Sequence, residues 1–136
     1  MEEFITWRES FSVKIPSIDK QHGKLVEMVN ELYKHLHQEI TDEFLSKLLK
    51  QLEDYSEYHF NHEEELMQQY NFSGYDEHKT AHEQFKEKIA HYKQNLSAQD
   101  SSELIDFATF LKNWLLQHIM GMDKKYSELF LEKGVE

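Results

Sequence analysis

The sequence has no cysteine among its 136 residues, which removes disulfides, thiolate nucleophiles and iron–sulfur clusters together and fits a reducing compartment. One proline and four glycines are too few for the many turns of a sandwich or barrel. Basic residues are also short, 15 against 26 acidic for a net charge of −11. Non-specific nucleic-acid binding needs Lys and Arg to neutralise phosphate, so this balance argues against it, and equally against an anionic membrane surface. No apolar run approaches the roughly 20 residues of a membrane span, and Met1-Glu2-Glu3 is not the basic start of a signal peptide. The expectation is a cytoplasmic chain with neither nucleic acid nor membrane as a partner.

Glu, Lys, Gln and Leu, all good helix formers, dominate what remains, and 9 Phe, 7 Tyr and 2 Trp supply bulky core groups. The length suits a single domain over residues 1–136. Residues 1–17 read as an irregular arm, because Pro16 blocks a helix through Phe4, Trp7, Phe11, Val13 and Ile15. Those apolar groups are expected to pack over one end of the fold.

Four amphipathic stretches follow. The first starts after Ser17 as N-cap and carries Ile18, His22, Leu25, Val29, Leu32 and Leu36 on one stripe, ending near Gln38. The second, from about Asp42 to Tyr70 with Thr41-Asp42 at its cap, carries Leu45, Leu48, Leu52, Tyr55, His59, Glu63 and Leu66. Asn71 to Tyr75, with Gly74, reads as a turn. The third opens near Asp76 and presents His78, His82, Phe85, Ile89 and Leu96. Asp100 with Glu103 fits a capping box for the fourth, which presents Leu104, Phe107, Leu111, Leu115 and His118 and continues through Asp123 towards Phe130. Short connections imply antiparallel neighbours, so the fold class is all-α: an antiparallel up-down-up-down four-helix bundle with an N-terminal irregular arm.

Each stripe is interrupted by groups that are costly to bury alone: His22; His59 and Glu63; His78 and His82; His118 and Asp123. Five imidazoles and two carboxylates in one core need a common partner, and a dinuclear metal centre supplies one. His59…Glu63 and His78…His82 are four apart, on one helix face one turn apart. His118 and Asp123 are five apart, about 140° around a regular helix. For both to face one site the helix must widen locally, as a π-type bulge does, with Gly121 lowering the strain. His35…Glu39 has a ligand-like spacing, but His35 is adjacent to the stripe residue Leu36 near a helix end. It is read, with His37, His62 and His91, as lying outside the centre, and these four histidines are expected at least partly exposed. Glu64 and Glu65, beside Glu63, are expected to be solvated, and Phe11, Tyr33, Tyr55 and Tyr58 to be packing groups.

The ordered pattern His22…His59-x3-Glu63…His78-x3-His82…His118-x4-Asp123 resembles the hemerythrins, and more closely the single-domain bacterial ones. Trp7 before Ser12-Val13, Ile18-Asp19-Lys20-Gln21-His22, Glu63-Glu64, Trp114-Leu115-x2-His118-Ile119 and Asp123-x2-Tyr126 extend the likeness over nearly the whole chain. The resemblance implies two non-haem iron ions with an oxo or hydroxo bridge. One iron would be held by His78, His82 and His118, the other by His22 and His59, with Glu63 and Asp123 bridging. Dioxygen would bind at the open position on the second iron, in a pocket formed by Trp114, Leu115 and Ile119. Tyr126, one turn after Asp123, is placed to hydrogen-bond a bridging carboxylate.

Imidazole-rich ligation leaves less negative charge on the centre than carboxylate-rich oxygenase sites carry, which favours reversible binding over oxidation chemistry. No acid–base residue beyond the ligands is visible. The expected function is therefore non-catalytic oxygen binding for transport, storage or delivery to an oxygen-consuming partner enzyme. The alternatives are a di-iron enzyme acting on nitric oxide or peroxide, and an oxygen or redox sensor working through a partner.

Overall fold

A computed structural model describes residues 4–38 and 40–136. Its helices are α1 (Pro16–Leu36), α2 (Asp42–Gln69), α3 (Tyr75–Asn95), α4 (Ser101–Gln117) and α5 (Lys124–Glu132), the last two joined without a break by a π-helical stretch, His118–Asp123. The fourth rod of the bundle is thus α4, the π stretch and α5 together. Successive rods run in opposite directions. Interior polar residues fall near the start of α1 and α3 but towards the ends of α2 and α4, and still converge at one level.

The stripes read from the sequence are the buried faces, with Leu36, Tyr55, Leu66 and Leu96 only half-buried at their edges. Ile18, Leu25, Val29 and Leu32 of α1, Leu45, Leu48 and Leu52 of α2, Phe85 and Ile89 of α3, and Leu104, Phe107, Leu111 and Leu115 of α4 are all buried. They form two apolar clusters. The larger runs from Leu104 and Leu32 to Phe60, Phe85, Leu115 and Ile119. The smaller holds Val13, Ile15, Ile18, Met67, Tyr126 and Phe130. Among the described residues no helix is long and apolar enough to cross a membrane.

Helix ends follow local chemistry. The Thr41 hydroxyl accepts from the Phe44 N–H at 3.0 Å, and Asp100 accepts from the Glu103 N–H at 3.0 Å, each satisfying a first-turn donor. Ser17 is not the cap of α1. The helix starts earlier, with Ile15 at the N-cap and Pro16 at the first helical position, which its fixed φ suits. Ser17 instead meets His62 Nε2 at 3.2 Å. α1 closes at Leu36, before Gln38. In the α2–α3 turn, Asn71 takes a left-handed φ of 56°. A Cβ on Gly74 would lie 2.7 Å from the Phe72 ring, so a larger residue there would have to displace that ring.

The arm departs from expectation. It runs along the bundle rather than over one end. Phe4 stacks on Tyr33 at 4.0 Å, and the Ile5 backbone exchanges two hydrogen bonds with the Asn30 side chain. Ile5 and Phe11 join the larger cluster while Val13 and Ile15 join the smaller one. Trp7 is 37% exposed and touches Phe11 only edge-on. Asp19, in the first turn of α1, holds the arm by accepting from the Ser12 hydroxyl at 2.5 Å and the Val13 N–H at 2.9 Å.

Candidate metal centre

Between the two apolar clusters the core turns polar. His22, His59, Glu63, His78, His82, His118 and Asp123 are all buried, and the most exposed of them, His118, is only 5% exposed. Regular α-helix places His59 over Glu63 and His78 over His82, one turn apart. The π stretch does the equivalent for His118 and Asp123, which stand at its two ends and both face inward. The wider turn cancels the angular offset that five residues would have in a regular helix. Gly121 is not what permits it. A Cβ there would meet nothing within 4 Å, and its φ is not positive.

The donor atoms form two groups that share Glu63. In one, His118 Nε2 lies 3.1 Å from both His78 Nε2 and His82 Nε2. A neutral imidazole offers one N–H and one lone pair, so three such nitrogens facing one another cannot all be satisfied by hydrogen bonds. Three lone pairs aimed at one ion are satisfied. Two nitrogens at right angles on an ion, each about 2.1 Å from it, lie about 3.0 Å apart, which fits the observed spacing. The other group is His22, His59, Glu63 and Asp123. Asp123 spans both, with Oδ2 at 2.8 Å from His22 Nε2 and Oδ1 at 2.8 Å from His78 Nε2 and 3.0 Å from His118 Nε2. Glu63 spans them as well, with Oε1 at 2.5 Å from His59 Nε2 and Oε2 at 3.6 Å from His78 Nε2.

Charge at the centre is set by burial opposed by neighbours. Burial disfavours charge on His82 and holds its pKa down at about 3. Burial also opposes charge on His78, but the carboxylates of Asp123 and Glu63 beside its Nε2 overcome this and raise its pKa to about 9. For the two carboxyls burial pushes upward, and at Glu63 the neighbouring Asp123 adds to it. The imidazoles outweigh them, His59 and His78 at Glu63 and His118, His22 and His78 at Asp123, so both stay ionised well below the usual carboxylate range.

The donor set fits a pair of metal ions. Among the described residues, no hydrogen-bond partner is found for His22 Nε2, His59 Nε2, Glu63 Oε1, or either oxygen of Asp123. Buried polar atoms left in this way are costly, and all of them point at the two donor groups. Imidazole and carboxylate donors without thiolate suit iron among the transition metals.

Outer contacts aim the donors. The Tyr126 hydroxyl donates to Glu63 Oε2 at 2.6 Å, as its position one turn after Asp123 suggested. Burial, and then the carboxylates of Asp123 and Glu63, keep that phenol far above its ordinary range, so it stays a donor. His59 Nδ1 meets Gln21 Oε1 at 2.6 Å, and His82 Nδ1 meets Glu64 Oε2 at 2.9 Å. Glu64 is therefore not a solvated residue. It is half-buried and binds a core imidazole, while Glu65 is exposed. Phe60 stacks on His82 at 3.9 Å and Trp114 on His118 at 4.4 Å. Leu115 and Ile119 are buried in the larger cluster, and Trp114, half-buried, packs against it.

Gln21 and Glu64 had no role assigned from the sequence. Gln21 does lie three residues after Ile18 and four before Leu25, at the edge of the α1 stripe, a signal that could have marked it as inward-facing. Glu64 had no such signal in its spacing, since it follows Glu63 in an acidic run, and only the Glu63-Glu64 likeness touched it. Of the histidines set aside, His37 and His91 are exposed and His35 and His62 half-buried. Glu39, the other half of the His35 pair, lies outside the described residues.

Fold and site together define a helical-bundle protein with a dinuclear metal centre. The family model described as "Hemerythrin HHE cation binding domain" matches residues 13–130. A bacteriohemerythrin of Stenotrophomonas maltophilia is 32% identical over 128 residues, covering 91% of this chain and 80% of that one. A myohemerythrin of Sipunculus nudus is 34% identical over 120 residues, 88% of each. A crystal structure of wild-type hemerythrin superposes with a TM-score of 0.80 at 26% identity, covering 93% of this chain and 97% of that one. The chain belongs to the hemerythrin family, as a di-iron, oxygen-binding member of the bacterial kind.

Proposed function

We propose that the chain binds dioxygen reversibly, for transport, storage or delivery, and does so without catalysing a further reaction. In this reading His78, His82 and His118 hold one iron and His22 and His59 the other, with Glu63 and Asp123 bridging. The observation that carries it is the pair of donor groups sharing Glu63, one with three imidazoles and one with two. When bound, the irons supply a redox-active Lewis-acid pair at which dioxygen can be held.

The chain's own groups do the rest. Glu63 and Asp123 balance cationic charge and keep the two halves at fixed separation. Tyr126 holds Glu63 in its spanning orientation. Gln21 and Glu64 accept at Nδ1 of His59 and His82, leaving each Nε2 lone pair for metal. With Asp123 reaching both groups, the half with two imidazoles would have one protein donor fewer, which leaves room for a small ligand. Trp114, Leu115 and Ile119 form the apolar wall of the dioxygen pocket and exclude water. Dioxygen is small and apolar and needs no charged clamp.

We place the chain in the cytoplasm, as a single hemerythrin-like domain over residues 1–136 with the arm at 1–17 packed on the bundle. An oxygen-consuming enzyme is the proposed recipient. The test is to reduce the iron-loaded protein, add and remove dioxygen repeatedly, and follow the visible spectrum. A charge-transfer band that appears and disappears over successive cycles supports the reading. One-way oxidation with turnover of nitric oxide, peroxide or another substrate contradicts it.

A further inference from the structure

The two halves of the centre are supported unequally from outside. In the three-imidazole group, a carboxylate backs His82, with Glu64 Oε2 at 2.9 Å from Nδ1. In the two-imidazole group, His59 is backed by an amide, with Gln21 Oε1 at 2.6 Å from Nδ1. His22 Nδ1 has no hydrogen-bond partner among the described residues. An acceptor at Nδ1 fixes which nitrogen keeps the proton, and a carboxylate makes the imidazole a stronger donor to metal than an amide does. One half therefore has three imidazoles, one of them carboxylate-backed. The other has two, with a single neutral support between them.

We infer that Gln21 is the positioning residue of the His22–His59 half, and that this half is the weaker, later-filled and more readily emptied of the two metal positions. Gln21 is buried, and its side chain reaches the Nδ1 face of His59 from α1 while the bridging carboxylate of α2 takes the Nε2 face. It holds the ring so that Nε2 points at Glu63 and the metal. Filling order then follows from donor count and support: the His78–His82–His118 half first, the His22–His59 half second. The inference rests on the di-iron reading and assigns its two positions different affinities.

The test titrates metal-free protein with Co(II) under anaerobic conditions, reading visible absorption for the coordination at each step and native mass for the number of ions bound. Wild type is expected to take up two ions in two resolved steps. Gln21→Met keeps the volume and removes the acceptor, and should weaken the second step by about 10- to 100-fold while leaving the first unchanged. Gln21→Glu restores an acceptor at the same reach, and should bring the second step back to wild-type affinity or tighter. A general packing defect would shift both steps and would not be rescued. In zinc-loaded wild type, the His59 Nδ1–H should give a slowly exchanging ring-proton resonance, a readout that needs no variant to fold.

Equal weakening of both steps by Gln21→Met, an unchanged second step, or a rapidly exchanging Nδ1–H would overturn the inference while leaving a two-ion centre standing. Wild type binding fewer than two ions would overturn the di-iron reading and the inference with it.

Discussion

The Tyr126 hydroxyl donates to Glu63 Oε2 at 2.6 Å, joining two fully buried side chains 63 residues apart in sequence. Glu63 has no freedom to swing away from the donor groups while that bond is made. Tyr126→Phe keeps the ring against Phe130 and His78 and removes only the hydroxyl. It should cost about 1–3 kcal/mol of stability in urea unfolding of the loaded protein, the range for a hydrogen bond to a buried charge. It should also weaken metal retention against a chelator about tenfold or more. Retention equal to wild type would show that Glu63 is held by other means.

The metal-free protein should be most stable near neutral pH. His78 has its folded pKa raised to about 9, above the ordinary 6.5, so its contribution is full below about pH 6.5 and is lost as pH rises through 9. His82 has its folded pKa lowered to about 3, so its contribution is present above about pH 6.5 and is lost as pH falls towards 3. Moving a pKa by one pH unit corresponds to about 1.4 kcal/mol, so each limb is worth on the order of a few kcal/mol. Urea midpoints of chelator-treated protein across this span should trace a dome. Metal loading should flatten it, because liganded imidazoles no longer titrate, and loading near pH 7 should release the His78 proton.

Ile119 is fully buried in the larger cluster, next in sequence to His118. Ile119→Ala should destabilise the fold by roughly 2–5 kcal/mol through the cavity it leaves. If the wall keeps water from bound dioxygen, it should also hasten decay of the visible band in air. Trp114→Phe keeps an aromatic surface on His118 and should alter the decay less.

Two glycines should respond in opposite ways. Gly74→Ala forces a Cβ to within 2.7 Å of the Phe72 ring and should cost about 1–3 kcal/mol. Gly121→Ala meets nothing within 4 Å in a helical stretch and should be neutral or stabilising by up to about 1 kcal/mol. Thermal melts of both variants check this. Strong destabilisation at Gly121 would mean that the π turn needs glycine after all.

Much of the fold and centre was legible because burial and charge conflict visibly in the sequence. His22, His59, Glu63, His78, His82 and His118 interrupt apolar stripes at helical spacing, so periodicity alone put them in the core. The five-residue step to Asp123 announced the π turn, since no regular helix could face both residues inward. Glu64 was hidden for the opposite reason. An acidic residue beside another acidic residue on a charged helix looks solvated, and only the approach of α3 brings His82 to it. The course of the arm was likewise set by tertiary partners, Tyr33, Asn30 and Asp19, that local sequence does not reveal. Ser17 looked like a cap by type, but Pro16 already fits the first helical position and the hydroxyl has His62 to meet.

Anaerobic oxygen titration of the reduced, iron-loaded protein, with iron counted in the same sample, tests reversible binding at a di-iron centre most directly. Two irons per chain are expected, with one dioxygen bound per pair of irons and recovered on lowering the oxygen pressure as the diferrous spectrum returns. A single zinc and no iron per chain, or oxygen consumed without being released, would contradict it.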